Sequence, residues 1–479
     1  MSDKYMKYLL LWFTIFFVQL GIWLTRKFGE LSFSQFVFHV DMGVDEFVHI
    51  DQSLIGSFMR KCLLVPSAII VAIHFFLKYQ NLTILEKIKK VHFSLILILS
   101  LSVFLHRVSF FEAMSSYYTY FKTGEDYFAL HYIDPKTVSI KSPQKYKNLI
   151  LIYVESLEDT YSDTHLFSHN LISSIQSDAI KNSYHFDQYE QAPATNWTIA
   201  GIVSTQCGVP LKTITRNSAN NGQPDFLTGA YCLGDILKHN GYKNIFINGP
   251  DLAFSGMGNF LKTHGYDEMY GRQEWYNLNK TREDMNDWGL YDDLLFIEAE
   301  KKLDELESNK NSPFNLTLLT IDTHGPKGYL SKHCATQHGV TKNNFEGIIE
   351  CTALQVRDFI AYIEKKGYLD NTLVVIFGDH LAMKNPVYTK LVSKENRHIY
   401  NLFIKNSGLE KNREEIVGFD MFPSILKSLD FDIEGGKLGL GYNAFGTDSR
   451  TNEINAEYYH EMQKKLMGYS PRYAQLWHG

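Results

Sequence analysis

Positive charge is not in excess in this sequence. Its 47 lysine and arginine residues are outnumbered by 53 aspartate and glutamate residues, which gives a net charge of -6 at pH 7. Nucleic-acid-binding proteins usually carry a basic face or stripe, so the composition argues against nucleic acid as a partner. Internal repeats and low-complexity tracts are also absent, and a hydrophobic fraction of 45% excludes extended disorder.

Cysteine is scarce, with five residues in 479. Cys62 lies in an apolar run, whereas Cys207, Cys232, Cys334 and Cys351 lie in the remainder of the chain. In an oxidising compartment these four residues could form two disulfides in three possible connectivities. We expect the local pairs Cys207-Cys232 and Cys334-Cys351, and four unrelated buried thiols are the alternative.

Long apolar runs are concentrated near the amino terminus. Tyr8 to Leu24 contains no charged residue and approaches the roughly 20 residues that a membrane-spanning helix needs. Cys62 to Leu77 and His92 to Leu105 are shorter, and each taken alone could be a buried or an interfacial helix. Because no small-x-small cleavage pattern follows the first run, retention in the membrane is favoured over a cleaved signal peptide.

The charges around these runs predict the orientation of the spans. Lys4 and Lys7 precede the first run and Lys78 to Val91 is rich in lysine, whereas Glu30 to Asp51 is acidic. Since lysine and arginine accumulate on the cytoplasmic side, three spans that start inside place the rest of the chain outside the cytoplasm. Four basic residues oppose this orientation: Arg26, Lys27, Arg60 and Lys61. We expect about three transmembrane helices in residues 1–107, a connecting segment in 108–146 and an extracytoplasmic domain in 147–479.

Short apolar runs alternate with longer helical patterns from residue 147 onwards. This alternation is typical of an α/β fold in which helices cover both faces of a mostly parallel sheet. Four runs look like strands covered on both sides: Asn148 to Val154, Asn244 to Asn248, Leu316 to Ile321 and Thr372 to Phe377. Polar residues follow each run, and ligands bind beyond the carboxyl ends of such strands. The sequence therefore predicts a site at this edge of the sheet.

Glu155, Asp379 and His380 are candidate metal ligands at that edge. An ionised carboxylate at Glu155 is costly unless it is paired or binds a cation, although it could simply cap the next helix. Asp379 and His380 place an oxygen donor beside an imidazole nitrogen, which suits a divalent ion such as Zn²⁺ or Mn²⁺. An isolated Asp-His pair also occurs by chance.

Thr195 is the candidate nucleophile, in the segment APATNWTIAG at a predicted loop-to-helix junction. Free N–H groups at such a junction favour a phosphate oxygen, and a neighbouring metal would lower the pKa of the threonine hydroxyl. The alternative is that Thr195 is only a helix N-cap. Thr198 is a candidate for substrate contact, and Trp197 could line the pocket or be a core residue.

Three further polar residues are candidates for the same edge. His324 follows the third run and could bind a phosphate oxygen or donate a proton to a leaving group. Asp251 follows the second run and is a candidate for substrate contact. His264, which precedes Gly265, fits a helix C-terminus better than a pocket.

The motifs YVESLED, APATNWTIAGIVSTQCGVPL, DTHGP and FGDHLAM resemble those of the alkaline phosphatase and sulfatase superfamily. The likeness spans roughly Asp126 to Gly441 and is strongest to membrane-bound phosphoglycerol transferases, namely periplasmic enzymes that decorate osmoregulated glucans and, more distantly, lipoteichoic acid synthases. The resemblance implies that superfamily's fold and one metal ion, Mn²⁺ or Zn²⁺. The implied metal ligands are Glu155, Thr195, Asp379 and His380, with His324 on the phosphoryl group.

The resemblance also implies a reaction and a location. Thr195 attacks the phosphorus of a phospholipid head group, with phosphatidylglycerol as donor, releases diacylglycerol and forms a phosphothreonine ester. A hydroxyl of an extracytoplasmic glycan then accepts the group. The chain would cross the inner (cytoplasmic) membrane of a bacterium several times, and the catalytic domain would face the periplasm or the cell exterior.

Other functions remain open at this stage. They are a phosphoethanolamine transferase, a phosphodiesterase or sulfatase-type hydrolase, and a non-enzymatic membrane sensor or scaffold. Sulfatases use a modified cysteine or serine where this chain has Thr195, and a scaffold would be expected to have lost part of the ligand set. Lipoteichoic acid synthases carry a Trp-x-Arg element where this chain has Phe254-Ser255-Gly256, so arginine recognition of the head group is not expected.

Overall fold

The computed structural model describes thirteen stretches of the chain, namely residues 3–28, 52–80, 89–108, 110–111, 114–115, 118, 126–176, 180–212, 226–309, 312–340, 344–404, 409–446 and 456–478. The chain divides into two compact units, residues 1–118 and 119–479. Two segments used above to orient the spans, Glu30 to Asp51 and 81–88 with Lys87, lie outside the described residues.

The described part of the first unit is helical. Its helices are Asp3–Phe28, Gln52–Phe58, the π-helical Met59–Leu64, Val65–Tyr79 and Lys90–Arg107. Three stretches are long and apolar enough to cross a membrane, and they contain the three apolar runs: Lys4–Lys27, Ile55–Tyr79 and Lys90–Arg107. The π-helical turn directly precedes the helix that contains Pro66. The proline has no N–H to donate and its ring crowds the preceding turn, so the regular α-helical bonding pattern is interrupted there.

Thirteen strands occur in the described residues of the second unit. They are β1 (Ile140–Lys141), β2 (Asn148–Val154), β3 (Ser183–Tyr184), β4 (Gln188–Glu190), β5 (Lys243–Asn248), β6 (Glu268–Tyr270), β7 (Phe314–Leu319), β8 (Thr372–Gly378), β9 (Asn401–Ile404), β10 (Glu415–Val417), β11 (Asp432–Ile433), β12 (Lys437–Leu438) and β13 (Gly441–Tyr442). Seven form the central sheet in the order β3-β9-β8-β2-β7-β5-β6. The five strands from β8 to β6 are mutually parallel, and β9 runs antiparallel to both of its neighbours.

Helices cover both faces of this sheet, as the sequence predicts. Those described in the second unit are Tyr127–His131, Thr198–Cys207, Leu233–His239, Met257–Thr263, Arg272–Asn277, Asp292–Ser308, Cys334–Gln337, Phe345–Lys365, Tyr388–Leu391, Gly418–Ser428, Ala456–Lys465 and Pro471–Ala474. Alternate residues of β2 point to opposite faces. Ile150 and Ile152 join a core that includes Ala299 and Ile349 from two of the helices. Tyr153 faces the other way, where its hydroxyl is 2.8 Å from that of Thr205.

The four predicted strands are all present, and their bounds differ from the predicted runs by one residue at β5 and β8 and by two residues at each end of β7. The run Leu316 to Ile321 was expected to be strand throughout, but β7 ends at Leu319. The reason is that the N–H of Ile321 donates to the Asp292 side chain, 2.8 Å away, instead of continuing the ladder. Asp322, Thr323 and His324 therefore lie on a loop beyond the strand end.

Part of the predicted connecting segment is folded into the second unit. Tyr127–His131 is a helix, and Ile140 pairs with Ile433 between β1 and β11. The backbone of Ile133 also bonds with that of Gly439 in both directions. The folded part of this unit thus begins upstream of residue 147.

Both expected disulfides are present, Cys207–Cys232 and Cys334–Cys351. Cys62 is a buried free thiol. The alternative of four separate buried thiols is therefore wrong for this structure.

Candidate active site

Glu155, Asp379 and His380 meet at the carboxyl edge of the sheet. Strand β2 is the neighbour of β8, and Val154 is paired with Gly378 at their ends. The residue that follows each strand therefore emerges at the same level. One ligand atom from each of the three side chains lies within 4.8 Å of the others, and all three residues are buried. The structure thus brings three of the predicted metal ligands together.

Two atoms of this cluster have no hydrogen-bond partner among the described residues. They are Oδ2 of Asp379 and Nε2 of His380, which are 3.3 Å apart. Nδ1 of His380 is 2.9 Å from the carbonyl oxygen of Leu381, so it must carry the proton and leave the Nε2 lone pair for a ligand. Buried polar atoms are normally paired, and a carboxylate with an imidazole is a donor set that suits a divalent ion. The residues present fit the metal that the sequence predicts.

The charges in the cluster are also unbalanced without a cation. Burial raises the pKa of Asp379 well above its usual range, and the neighbouring Glu155 raises it further. Burial acts in the same direction on Glu155, but His324 and His380 in their protonated forms, together with the hydrogen bond from Ser156, lower the pKa of Glu155 overall. A divalent cation would stabilise both carboxylates in their ionised forms.

The loop after β2 is held by three hydroxyl residues that the sequence did not single out. The hydroxyl of Ser156 donates to Oε1 of Glu155 over 2.7 Å, and its backbone N–H donates to Oδ1 of Asp379 over 2.8 Å. Thr320 accepts the N–H of Glu155 over 3.0 Å, and the hydroxyl of Thr323 donates to the Glu155 carbonyl. Glu155 therefore caps no helix, and neighbouring loops orient it.

Glu158, in the same YVESLED motif, has a different role. It is fully buried and forms a bidentate ion pair with Arg397, one arm of which measures 3.0 Å from Nε to Oε1. Its Oε2 also accepts the N–H of Ala382, three residues after Asp379, over 3.0 Å. The pair ties the loop after β2 to the loop after β8, which carries Asp379 and His380.

Thr195 lies in the loop that leads to the helix Thr198–Cys207. Its buried hydroxyl donates to the carbonyl oxygen of Ala192 over 2.7 Å, so the oxygen lone pairs remain available. The N-cap of the helix is Trp197, not Thr195, so the alternative role of Thr195 as N-cap is wrong. Thr198 begins the helix and donates its hydroxyl to Oε2 of Glu155 over 3.2 Å. The predicted nucleophile segment therefore reaches the metal cluster through Thr198.

Backbone strain marks both sides of this arrangement. Ser156, directly after Glu155, has a φ of 56°, and Ala194, directly before Thr195, has a φ of 57°. A positive φ costs a non-glycine residue about 1–3 kcal/mol, and residues held in this conformation are concentrated at functional sites. Trp197 is buried, with 6% of its surface exposed, which agrees with a core position.

The remaining candidates divide between the site and its surroundings. His324 is buried on the loop after β7 and is close enough to lower the pKa of Glu155. Its Nδ1 lies 2.7 Å from the Gly325 carbonyl oxygen and donates to it, so Nε2 can donate to a phosphoryl oxygen when the imidazole is protonated on both nitrogens. Asp251 accepts the N–H of Ala253 over 2.9 Å in a turn after β5.

His264 ends the helix Met257–Thr263, as expected, and is bonded to Asp235 and to Phe226.

Comparisons with known proteins match residues 147–431 of the chain to the sulfatase family. Phosphoglycerol transferase I of Escherichia fergusonii is 35% identical over 362 residues, which are 74% of this chain and 45% of that protein. Phosphoglycerol transferase I of Escherichia coli (strain K12) is 34% identical over 365 residues, with the same coverage. The chain therefore spans about half the length of the curated relatives it matches.

Two solved structures share the fold. The lipoteichoic acid synthase LtaP of Listeria monocytogenes superposes with a TM-score of 0.50 at 20% identity, over 64% of this chain and 79% of that one. The integral membrane lipooligosaccharide phosphoethanolamine transferase A of Neisseria meningitidis has a TM-score of 0.50 at 16% identity, over 90% of this chain and 84% of that one. These structures establish an alkaline phosphatase/sulfatase fold.

Proposed function

The chain belongs to the sulfatase family, and from this membership we propose that it is a metal-dependent phosphoglycerol transferase. It takes the head group of phosphatidylglycerol and passes it to a hydroxyl of an extracytoplasmic glycan. The observation that carries the proposal is the buried cluster of Glu155, Asp379 and His380, with two unpartnered donor atoms beside the segment that contains Thr195. Phosphoglycerol transferase relatives at about one-third identity support the same reaction class.

A divalent ion held by Glu155, Thr195, Asp379 and His380 would lower the pKa of the threonine hydroxyl and withdraw charge from the phosphoryl group. Zn²⁺ and Mn²⁺ both suit this mixed oxygen and nitrogen set. The set contains two carboxylates, one hydroxyl and one imidazole and no sulfur ligand, so metals that require thiolate ligands are not expected. The chain's own contribution is to hold three ligands in a buried, hydrogen-bonded frame.

Thr195 performs the first displacement. Its Oγ attacks phosphorus, the bond from phosphorus to the diacylglycerol oxygen breaks, and the hydroxyl proton ends on the departing diacylglycerol. The doubly protonated imidazole of His324 donates its Nε2–H to a phosphoryl oxygen, or passes that proton to the leaving oxygen and takes up the proton released by the threonine hydroxyl, which leaves the net proton transfer the same. Trp197, Thr198 and Asp251 remain the candidate contacts for the head group. The product is a phosphothreonine ester that carries glycerol.

The acceptor hydroxyl performs the second displacement. It attacks the same phosphorus, the bond to Thr195 Oγ breaks, and the proton of the acceptor returns to the threonine. Transfer rather than hydrolysis explains the apolar helices, because attachment to the bilayer gives a catalytic domain a high effective concentration of lipid donor. Water as acceptor would not require that attachment.

The decisive experiment uses the full chain in detergent with Mn²⁺ or Zn²⁺. Phosphatidylglycerol and phosphatidylethanolamine, each labelled in the head group, are supplied separately without acceptor. We expect diacylglycerol release from phosphatidylglycerol and a labelled phosphodiester on the peptide that contains Thr195. The matched control is Thr336→Ala, which changes an exposed threonine and should label like the wild type.

Three outcomes would contradict the proposal in different ways. Label from ethanolamine alone would make the chain a phosphoethanolamine transferase. Release of diacylglycerol without any protein-bound label would indicate direct hydrolysis. Undiminished turnover after exhaustive chelation would remove the metal from the reaction.

The proposed location is the inner membrane of a bacterium, crossed three times, with the second unit in the periplasm or at the cell exterior. Three helices of suitable length and two disulfides in the second unit support this location. Protease added outside spheroplasts should digest the second unit, and protection until the membrane is lysed would reverse the orientation.

A further inference from the structure

A turn at residues 286–289 bridges the ends of two strands at the site. Its residues lie between the helix Arg272–Asn277 and the helix Asp292–Ser308. The N–H of Asn286 donates to the carbonyl of Gly289 over 2.8 Å, and Asn286 Oδ1 accepts the N–H groups of Trp288 and Gly289. These bonds close the turn on itself and leave the side chains of Asp287 and Trp288 on its outside.

The turn is anchored at the end of β5 by direct backbone contact. A β-carbon added to Gly289 would stand 2.0 Å from the carbonyl oxygen of Gly249, the residue that follows β5. The N–H of Leu290 donates to the same carbonyl over 3.2 Å. Only glycine allows this approach, so the position of the turn relative to β5 is tightly defined.

The turn is anchored at the end of β7 by side chains. Nδ2 of the buried Asn286 donates to Oδ1 of Asp322 over 2.9 Å. On the outside, Asp287 accepts from Nζ of Lys327 and from the hydroxyl of Tyr329, each over 2.9 Å. Asp322, Lys327 and Tyr329 flank His324 in sequence, so the turn and the His324 loop are held as one body.

The side chain of Trp288 lies against the imidazole of His324. Their ring centroids are 4.2 Å apart with an interplanar angle of 45°. Phe254, on the loop after β5, packs on Trp288 with centroids 5.6 Å apart. Trp288 is half-buried, and His324 is 8% exposed. Three rings in contact therefore line this part of the edge.

We propose that Trp288 is a positioning residue of the active site, and that its ring holds the imidazole of His324 in the orientation with which Nε2 meets the phosphoryl group. The proposal rests on the proposed function for the role of His324, and on the geometry above for the role of Trp288. Within the described residues the imidazole makes one hydrogen bond, from Nδ1 to the Gly325 carbonyl oxygen, and the ring can rotate about that bond. Contact with an aromatic ring removes this freedom and shields one face of the imidazole from water.

A double-mutant cycle on the full chain tests whether Trp288 acts through His324. Trp288→Leu removes the aromatic ring and Trp288→Phe keeps one. We expect Trp288→Leu to lower kcat for diacylglycerol release about tenfold or more with a smaller change in KM, and Trp288→Phe to restore most of the loss. In a His324→Ala background the same Trp288→Leu change should cost less than about twofold, because the group it positions is gone.

The control for general loosening of the loop is Tyr329→Phe. It deletes one bond to Asp287 and leaves the three rings in place, so kcat should stay within about twofold of the wild type. Equal losses from Trp288→Leu with and without His324, or equal losses from Trp288→Leu and Tyr329→Phe, would overturn the positioning role and leave Trp288 as a structural residue.

A chemical measurement separates this inference from the proposed function. Diethyl pyrocarbonate modifies accessible imidazoles, and the extent at each histidine can be read by peptide mass spectrometry without any turnover. We expect His324 to react several-fold faster in Trp288→Leu than in the wild type or in Trp288→Phe, with the exposed His239 unchanged as internal reference. Unchanged reactivity of His324 would refute the ring contact, whether or not phosphatidylglycerol proves to be a substrate.

Discussion

A β-carbon added to Gly201 would stand 2.0 Å from the backbone carbonyl oxygen of Asp379. Gly201 lies on the first turn of the helix Thr198–Cys207, whose first residue donates to Glu155. The absence of a side chain at Gly201 therefore lets the helix that follows the proposed nucleophile pack directly against the strand end that carries two of the proposed metal ligands. Helix and strand meet without room for a methyl group.

Gly201→Ala is expected to damage the site through this contact. The added methyl group must push the helix away from Asp379, so we expect a loss of stability of about 1–3 kcal/mol and a larger loss of activity. Thermal unfolding and diacylglycerol release measure the two effects. Ser204→Ala, on the same helix, removes only a local bond to the Gly201 carbonyl and should be close to wild type. A fully active Gly201→Ala protein would show that the close approach is unimportant.

Substitution of Thr195 tests whether its hydroxyl is the nucleophile or has only a structural role. Thr195→Ala should fold with an unchanged melting temperature within a few degrees and lose at least about 10³-fold in turnover, because no other hydroxyl replaces the covalent step. Thr195→Ser keeps an oxygen at the same atom and should retain measurable activity. Normal turnover by Thr195→Ala would remove Thr195 from the reaction.

Asp379→Asn is expected to weaken metal binding by about 10- to 100-fold or more, since the amide replaces a carboxylate whose Oδ2 has no partner among the described residues. Isothermal titration of the metal-free full chain with Mn²⁺ or Zn²⁺ measures the change. Asp420→Asn is the matched control, because Asp420 is also buried but accepts N–H bonds from Val417 and Tyr442. Equal affinities for the two variants would place the metal elsewhere.

The raised pKa of Asp159 predicts that the stability of the folded protein depends on pH. Burial raises its pKa to about 7, and the opposing imidazoles of His185 and His398 reduce the rise, while Asp187 and Glu158 add to it. A carboxyl group with a folded-state pKa above its unfolded value is stabilising when protonated. Its contribution is complete below the unfolded pKa of about 3.9 and is lost as the pH rises towards 7.

The measurement is the melting temperature of the wild type and of Asp159→Asn at pH 5 and pH 8. The amide cannot ionise, so the stability of Asp159→Asn relative to the wild type should be higher at pH 8 than at pH 5. The expected difference is on the order of 2 kcal/mol. An unchanged difference between the two pH values would mean that Asp159 does not titrate in this range.

Much of the site follows from sequence because it is built at strand ends. Continuous apolar runs locate β2, β7 and β8, and the residues that follow them must emerge at one edge of a parallel sheet. Glu155, Asp379 and His380 could be placed together by this reasoning without knowing the strand order. The two disulfides were also accessible, since both join cysteines that are near one another in sequence.

Other parts depend on contacts that no local pattern encodes. Glu155 and Glu158 are both buried acids in YVESLED, and only the distant Arg397 reveals that Glu158 is neutralised by an ion pair. Ser156 and Thr323 act on Glu155 through bonds that depend on the geometry of the loops. Trp288 reaches His324 because its turn spans two strand ends. Hydrophobic periodicity carries no signal for such contacts, although the glycine at position 289 marks a tight turn.

The central position of β2 has a consequence for when the proposed metal site can form. Glu155 and Asp379 are adjacent in space only after β8, from the last third of the chain, has joined β2. A newly made polypeptide that lacks β8 contains only one carboxylate of the proposed set, Glu155. A single carboxylate would bind a trace metal ion weakly. The proposed site would therefore take up its ion only in the compartment in which folding is completed, and the ion supply of that compartment would decide between zinc and manganese.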